Sequence, residues 1–222
     1  MKAIILAGGR GKRLRPVTDY VPKPLIPIKN IPIIEWQIKY LKKFGISEVI
    51  ICSGYKTEMI ENYLSNKKLG IKITFSVENT PLGTGGAIKK AGKKINEKSF
   101  VVINGDIITN IDLKKLLKKE NSIAAIQLKT KFGILQITDD KIIKFNEKKE
   151  IENLWMNAGI YHLEKNTLKD LPNKGDIEKT LFPNYAKKEK LFTLKFRNTK
   201  WYSIDSFKDM EECTLEVEKI IK

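Results

Sequence analysis

Gly8, Gly9 and Gly11 follow the apolar run Ala3-Ile4-Ile5-Leu6, and Arg10, Lys12, Arg13 and Arg15 crowd the same short stretch. Glycines let a backbone approach an anion closely and turn its N–H groups inward, while the cations supply charge. A loop of this kind, with Leu6 and Ala7 at its lip, is expected to hold phosphates. A tight strand-to-loop turn with solvated cations is the plainer reading of the same residues. Neither the Rossmann spacing nor the Gly-Lys-Ser/Thr ending of a P-loop is present. Further along, Asn104-Gly105-Asp106 closes another apolar run. There a carboxylate would protrude at a sheet edge, either as a turn or cap residue or as a ligand for a divalent cation. The single histidine, His162, sits in an apolar stretch without a serine or cysteine partner arrangement. Nucleophilic hydrolysis therefore has no visible machinery, and His162 is expected to be structural.

These groups need elements to hold them at one edge. Buried strands are predicted over 3–6, 48–52, 71–77 and 99–106, with helices over about 32–41, 57–66 and 83–94 between them. Strands alternating with helices imply βαβ crossovers, a mostly parallel central sheet and an α/β, Rossmann-like fold. Ligands of such sheets sit beyond the carboxyl ends of the strands, where the first loop, Glu78 and Asp106 would all emerge. The second half changes character. Short strands are predicted over 123–128, 133–137 and 141–145, with a turn at Asp139-Asp140. Helices follow at about 165–171 and 176–189, and a charged helix at 206–221. The added strands are expected to wall a substrate pocket.

Composition sets outer limits. The 222 residues suffice for one domain, 1–222, and 41% hydrophobic with 31% charged residues suits a globular chain. No apolar run approaches a membrane span, and the first apolar run is too short for a signal peptide, so a cytoplasmic location and no membrane partner are expected. Cys52 and Cys213 are far apart without metal-like spacing, so free thiols are expected. The net charge of +16 comes from lysine pairs recurring on several separate segments, among them Lys42-Lys43, Lys89-Lys90 and Lys114-Lys115. That pattern makes solvated helix faces and not one basic stripe, so no nucleic-acid partner is expected.

The string Gly9-x-Gly11-x-Arg13-Leu14-x-Pro16-Val17-Thr18, followed by Lys23-Pro24-Leu25, resembles the signature of the sugar-1-phosphate nucleotidylyltransferases. Four further segments match in the right order along nearly the whole chain. The resemblance implies a nucleotide-diphospho-sugar transferase fold, an NTP and a sugar 1-phosphate as substrates, and Mg²⁺ as cofactor. It implies that Arg13 grips the leaving pyrophosphate, that Lys23 contacts phosphates near the reacting centre, and that Gly105-Asp106 carries a magnesium ligand. The second ligand is less clear. Most members place it where Ser203 stands, whereas glucose-1-phosphate cytidylyltransferases have a Met-Asp-Thr segment aligning with Ile204-Asp205-Ser206. Asp205 is the choice, Asp209 the weaker one, and a helix cap remains the alternative for Asp205.

Glu78 to Ala87 is similar to the family's base-recognition loop, where Gly83, Thr84, Gly85 and Gly86 would permit close approach to base and sugar. Glu78 stands where thymidylyl- and uridylyltransferases commonly carry glutamine. A carboxylate only accepts hydrogen bonds and guanine offers N1–H and an amino group, which leans toward GTP. Phe145-Asn146-Glu147-Lys148 resembles a segment whose glutamate and lysine hold the sugar and its phosphate, although Lys149 replaces the usual proline. Asn157 and Glu178 match residues of the sugar site. The string Pro81 to Ala87 is similar to mannose- and heptose-1-phosphate guanylyltransferases. CTP, UTP or dTTP with glucose 1-phosphate stays open, as does a non-catalytic nucleotide-binding regulatory subunit. The resembling family often carries a carboxy-terminal β-helix; with the charged helix 206–221 last, that module and any acyltransferase activity are expected to be absent, and a homo-oligomer is possible.

Overall fold

Short apolar runs form the buried strands β1 (Lys2–Leu6), β2 (Glu48–Ser53) and β4 (Ser99–Asn104) and the half-buried edge strand β3 (Lys72–Val77). Helices α1 (Ile33–Lys43), α2 (Thr57–Ser65) and α3 (Gly83–Gly92) separate them. The computed structural model describes residues 1–130, 132–147 and 150–220. Beyond β4 come β5 (Ile107–Thr109), β6 (Ser122–Lys129), the hairpin β7 (Ile134–Thr138) and β8 (Lys141–Asn146), and the long β9 (Glu150–Glu164). Helix α4 (Leu181–Lys187), β10 (Phe192–Phe196), β11 (Trp201–Ser203) and helix α5 (Phe207–Thr214) complete the chain's main elements.

Seven strands form the central sheet in the order β10-β6-β9-β4-β1-β2-β3. Every neighbouring pair is parallel except those of β9, which runs antiparallel to both β6 and β4. Strand alternation divides the apolar residues between two faces. Ile5, Ile51 and Ile103 face α1 and α2 through Ile34, Ile38 and Ile60. Ile4, Ile50 and Val102 face α3 and α4 through Ala87, Ile88 and Leu181. Both faces are covered, as a mostly parallel sheet requires, and each buried isoleucine contributes about 1.5–3 kcal/mol. A third cluster joins Leu14, Ile26 and Ile28 to Ile108, Ile204 and Cys213, tying the amino-terminal loop to the carboxy-terminal segment.

The second half departs from its expected outline. The predicted helix at 176–189 is a 3₁₀ turn, Ile177–Lys179, followed by α4. Pro183 explains the break: it lacks an N–H and its ring would meet the carbonyl four residues back, so a helix can begin just before it but not run through it. Thr180 makes the corner at φ −120°, ψ −80°. The region 165–171 is likewise a 3₁₀ turn, Lys165–Lys169, and the terminal helix divides into α5 and a short turn, Val217–Ile220. Strand β6 joins the central sheet, whereas the β7–β8 hairpin stands apart with Ile137, Ile142, Ile143 and Phe145 exposed. Among the described residues no helix is long and apolar enough to cross a membrane.

One irregularity positions the site. The predicted strand 99–106 stops at Asn104, because Gly105 turns to donate its N–H to the Leu6 carbonyl at 2.9 Å. A Cβ there would lie 2.3 Å from that oxygen, so only glycine fits. The fully buried Gln37 of α1 then donates to the carbonyls of Asn104 (2.7 Å) and Ile107 (2.9 Å), on either side of the turn. Replacing it by an apolar residue strands both carbonyls. We expect Gln37→Leu to lower stability by about 1–3 kcal/mol in a urea titration.

Candidate active site

The carboxyl ends of β1 and β4 open onto a cavity of about 460 Å³. Its floor is the amino-terminal loop, with Leu6, Ala7, Gly8, Gly9 and Gly11 in its wall. Arg13, Lys23, Asp106 and Asp205 converge at one side. Glu78, Gly83 and Thr84 form the other, and Gly105 lies between. Thirteen of the residues expected at the site thus share one concavity, although they come from five separate stretches of chain.

Two carboxylates and two cations make its polar centre. The Lys23 ammonium donates to Asp106 Oδ2 at 2.7 Å and to Asp205 Oδ1 at 2.8 Å. Arg13 adds a contact at 3.0 Å to the same Asp205 oxygen. Burial pushes the Asp205 carboxyl up, but the Lys23 hydrogen bond and charge, with Arg13 and the Ser203 hydroxyl, outweigh it and hold the group below the ordinary aspartate range. The two aspartates meet because β5 and β11 pair antiparallel, Ile107 opposite Ser203, and Ile204 donates its N–H to the Asp106 carbonyl at 3.0 Å. Ser203 itself donates to Asp205 Oδ2 at 3.1 Å. Asp209 is used differently. Its Oδ2 accepts from the Asp205 N–H and the Ser206 hydroxyl, while Ser206 caps α5. Of the two weighed for the carboxy-terminal carboxylate, it is Asp205 that reaches the cavity.

Asp106 and Asp205 present hard oxygens without a histidine or cysteine beside them. Among the described residues no group of three or more His, Cys, Asp or Glu is placed to hold an ion. That donor set suits Mg²⁺, which keeps waters and needs only one or two carboxylates beside phosphate oxygens, and does not suit Zn²⁺.

Across the cavity Glu78 accepts the Leu82 N–H at Oε2, 2.9 Å. Burial raises its pKa, and the Leu82 N–H and Lys90 charge offset this only in part. Thr84, near the start of α3, donates to Glu178 Oε2 at 2.5 Å and accepts the Ile177 N–H at 2.9 Å. Asn157 and Glu178 stand outside the cavity wall, joined to it by hydrogen bonds through Thr84. Gly85 and Gly86 have a different task from close approach to a ligand: both donate N–H groups to the Gly175 carbonyl, and a Cβ on Gly86 would lie 2.6 Å from the Asn173 carbonyl oxygen. They seat α3 against the protein's own 172–177 loop.

Other residues fall elsewhere. Glu147 is exposed at the end of the β7–β8 hairpin, apart from the cavity wall, and Lys148 and Lys149 lie outside the described residues. Arg10 stacks over the Tyr55 ring and Arg15 pairs with Asp19, while Lys12 joins the wall. His162 is buried between Ser99 and the Lys119 carbonyl. Asn104 and Asp176 line the cavity without having been singled out from sequence. Asn104, two residues before Asp106, carried the only available signal.

A family profile described as Nucleotidyl transferase matches residues 2–220. The chain is 44% identical over 173 residues to a D-glycero-alpha-D-manno-heptose 1-phosphate guanylyltransferase of Aneurinibacillus thermoaerophilus, covering 74% of this chain and 75% of that protein. It is 42% identical to the Campylobacter jejuni protein of the same name, covering 84% and 87%. The crystal structure of HddC from Yersinia pseudotuberculosis superimposes with a TM-score of 0.78 at 30% identity, covering 97% of this chain and 98% of that one, and has also been solved complexed with GMP-PN.

The ion cluster makes a pH prediction. A carboxyl held below its unfolded value lends stability that is complete above the unfolded pKa and is lost as pH falls through the native one. Lys23→Met raises the native value of Asp205. Acid unfolding followed by circular dichroism is therefore expected to begin at higher pH than in wild type.

Proposed function

This chain belongs to the nucleotidyl transferase family, and within it we propose that the enzyme transfers GMP from GTP to the 1-phosphate of a heptose or of mannose. Pyrophosphate leaves and a GDP-sugar forms. The observation that carries this reading is the convergence of the glycine-rich loop, Arg13, Lys23, Asp106 and Asp205 on one cavity. Two relatives above 40% identity bear the name of a heptose 1-phosphate guanylyltransferase, and that supports the choice of substrates.

A sugar 1-phosphate is a phosphate monoester with a second pKa of about 6, so at neutral pH its oxygen attacks the α-phosphorus without a general base. The new P–O bond forms as the bond to the β-phosphate oxygen breaks, and pyrophosphate carries the electron pair away. The protein's work is to bring two polyanions together and offset their repulsion. Arg13, three-quarters exposed at the cavity's mouth, offers a planar fork for the pyrophosphate. Lys23, pinned between two carboxylates, offers a point charge beside the reacting phosphates. Enzymes of this family generally use a divalent metal, and Asp106 and Asp205 are the groups we assign to hold Mg²⁺, which would neutralise the triphosphate when bound. Glu78 supplies the acceptor for guanine, Oε2 being already engaged by Leu82 and Oε1 lying beside Gly8. Asn157, Glu178, Glu147 and Lys148 are assigned to the acceptor sugar phosphate.

Pyrophosphate release with each of four NTPs, and mannose or heptose 1-phosphate as acceptor, tests the reading. Turnover with GTP is expected. Turnover confined to UTP, CTP or dTTP would reject the guanine assignment. Asp106→Ala is expected to lower kcat about a hundredfold or more. Glu78 adds a pH signature: because burial raises its pKa, its acceptor is lost on acidification earlier than an exposed glutamate titrates. KM for GTP should rise there in wild type, and that limb should be missing in Glu78→Gln.

A further inference from the structure

Tyr161 lies in β9, fully buried, with its ring edge-on to Phe182 at 4.9 Å between centroids. Apolar packing alone would be served by phenylalanine, yet the hydroxyl is surrounded by polar side chains. It donates to Glu178 Oε1 at 3.2 Å and accepts from Asn157 Nδ2 at 2.9 Å, and the Asn104 side chain beside it lowers its pKa against the burial that raises it. A phenol has one proton to give, and an ionised carboxylate can only accept. The proton therefore goes to Glu178, and Asn157 turns its NH₂ group toward the tyrosine.

Two consequences follow for the cavity. Asn157, itself exposed, is held at both ends of its amide, since Oδ1 accepts the Gly159 N–H at 2.8 Å. Asn104 Oδ1 is buried and without a hydrogen-bond partner among the described residues, on a residue of the cavity wall. A buried acceptor left open is uncommon and costly unless something donates to it. The backbone is shaped for this arrangement. In a regular strand residues 157 and 161 would be about 13 Å apart. The β6–β9 register shifts between them, and Gly159 takes φ +70° where a Cβ would press on Asn104 at 2.8 Å. Bulges of this kind re-aim side chains next to sites.

We propose that Tyr161 is a positioning residue for the acceptor side: its hydroxyl sets Asn157 and Glu178 in one arrangement, with the Asn104 amide beside them. The proposal rests on the reading of Asn157 and Glu178 as sugar-side residues. Through Glu178 the arrangement extends to Thr84, so the sugar side is braced against the start of α3.

The test is steady-state kinetics of wild type, Tyr161→Phe, Asn104→Asp and the double variant, with thermal unfolding of each. Phenylalanine keeps the ring, and Asn104→Asp keeps the shape while removing the donor. Each single variant is expected to raise KM for the sugar 1-phosphate about tenfold, with KM for the NTP within about twofold of wild type. The double variant should be little worse than either, because both act on the same contact. Should Tyr161→Phe fail to fold, Asn104→Asp alone decides by the same split. Unchanged sugar-phosphate KM, or an equal rise for both substrates, overturns the positioning role while leaving the proposed activity intact. No turnover by wild type with any NTP and sugar 1-phosphate overturns that activity, and this inference with it.

Discussion

Asp106 and Asp205 carry like charges at the edge of one cavity, and the Lys23 ammonium is what lets them stand together. Without a cation between them two partly buried carboxylates repel and one would take up a proton. With it, each is within 2.8 Å of opposite charge. The three residues are separated by 83 and 182 positions along the chain, so the cluster can exist only when the ends of the fold have closed on each other. The Gly105 turn, the Gln37 bonds and the β5–β11 ladder all act on this one point. They hold a charge constellation that is unfavourable in any looser arrangement.

A site whose chemistry is charge compensation places unusual demands on its glycines. Those of the amino-terminal loop face the cavity, while Gly85, Gly86 and Gly105 let one piece of backbone touch another. The two uses serve the same end. Loops that lean on each other at backbone distance cannot drift by the ångström that would separate the reacting phosphates.

The polar network around the Tyr161 hydroxyl follows the same rule with one carboxylate among neutral partners. Tyr161 is buried and Glu178, Thr84 and Asn104 are partly so, and burial of such groups is unfavourable unless each finds its partner. All but the Asn104 oxygen do. A network so nearly satisfied specifies one arrangement of its donors and acceptors.

Much of this was legible before any coordinates. The first four strands and first three helices come from local signals, apolar periodicity bounded by glycine, that act over a few residues and survive in any context. The glycine-rich loop was legible too as a wall of the cavity, because three glycines follow the first strand at its carboxyl end. Less could be read in the second half. The 176–189 stretch has helical periodicity, but Pro183 sets where a helix can start, and β10, with its mixed apolar and charged residues, becomes a strand only by pairing with β6. The sequence by itself determined the sheet, the loop and the types of group available. Tertiary structure alone decided that Asp205, and not Asp209, joins Asp106 on Lys23, that Gln37 braces the Gly105 turn, and which glycines face the cavity. The physical reason is range: propensity and periodicity act between neighbours, whereas hydrogen bonds and charge contacts depend on distances that only the closed chain defines.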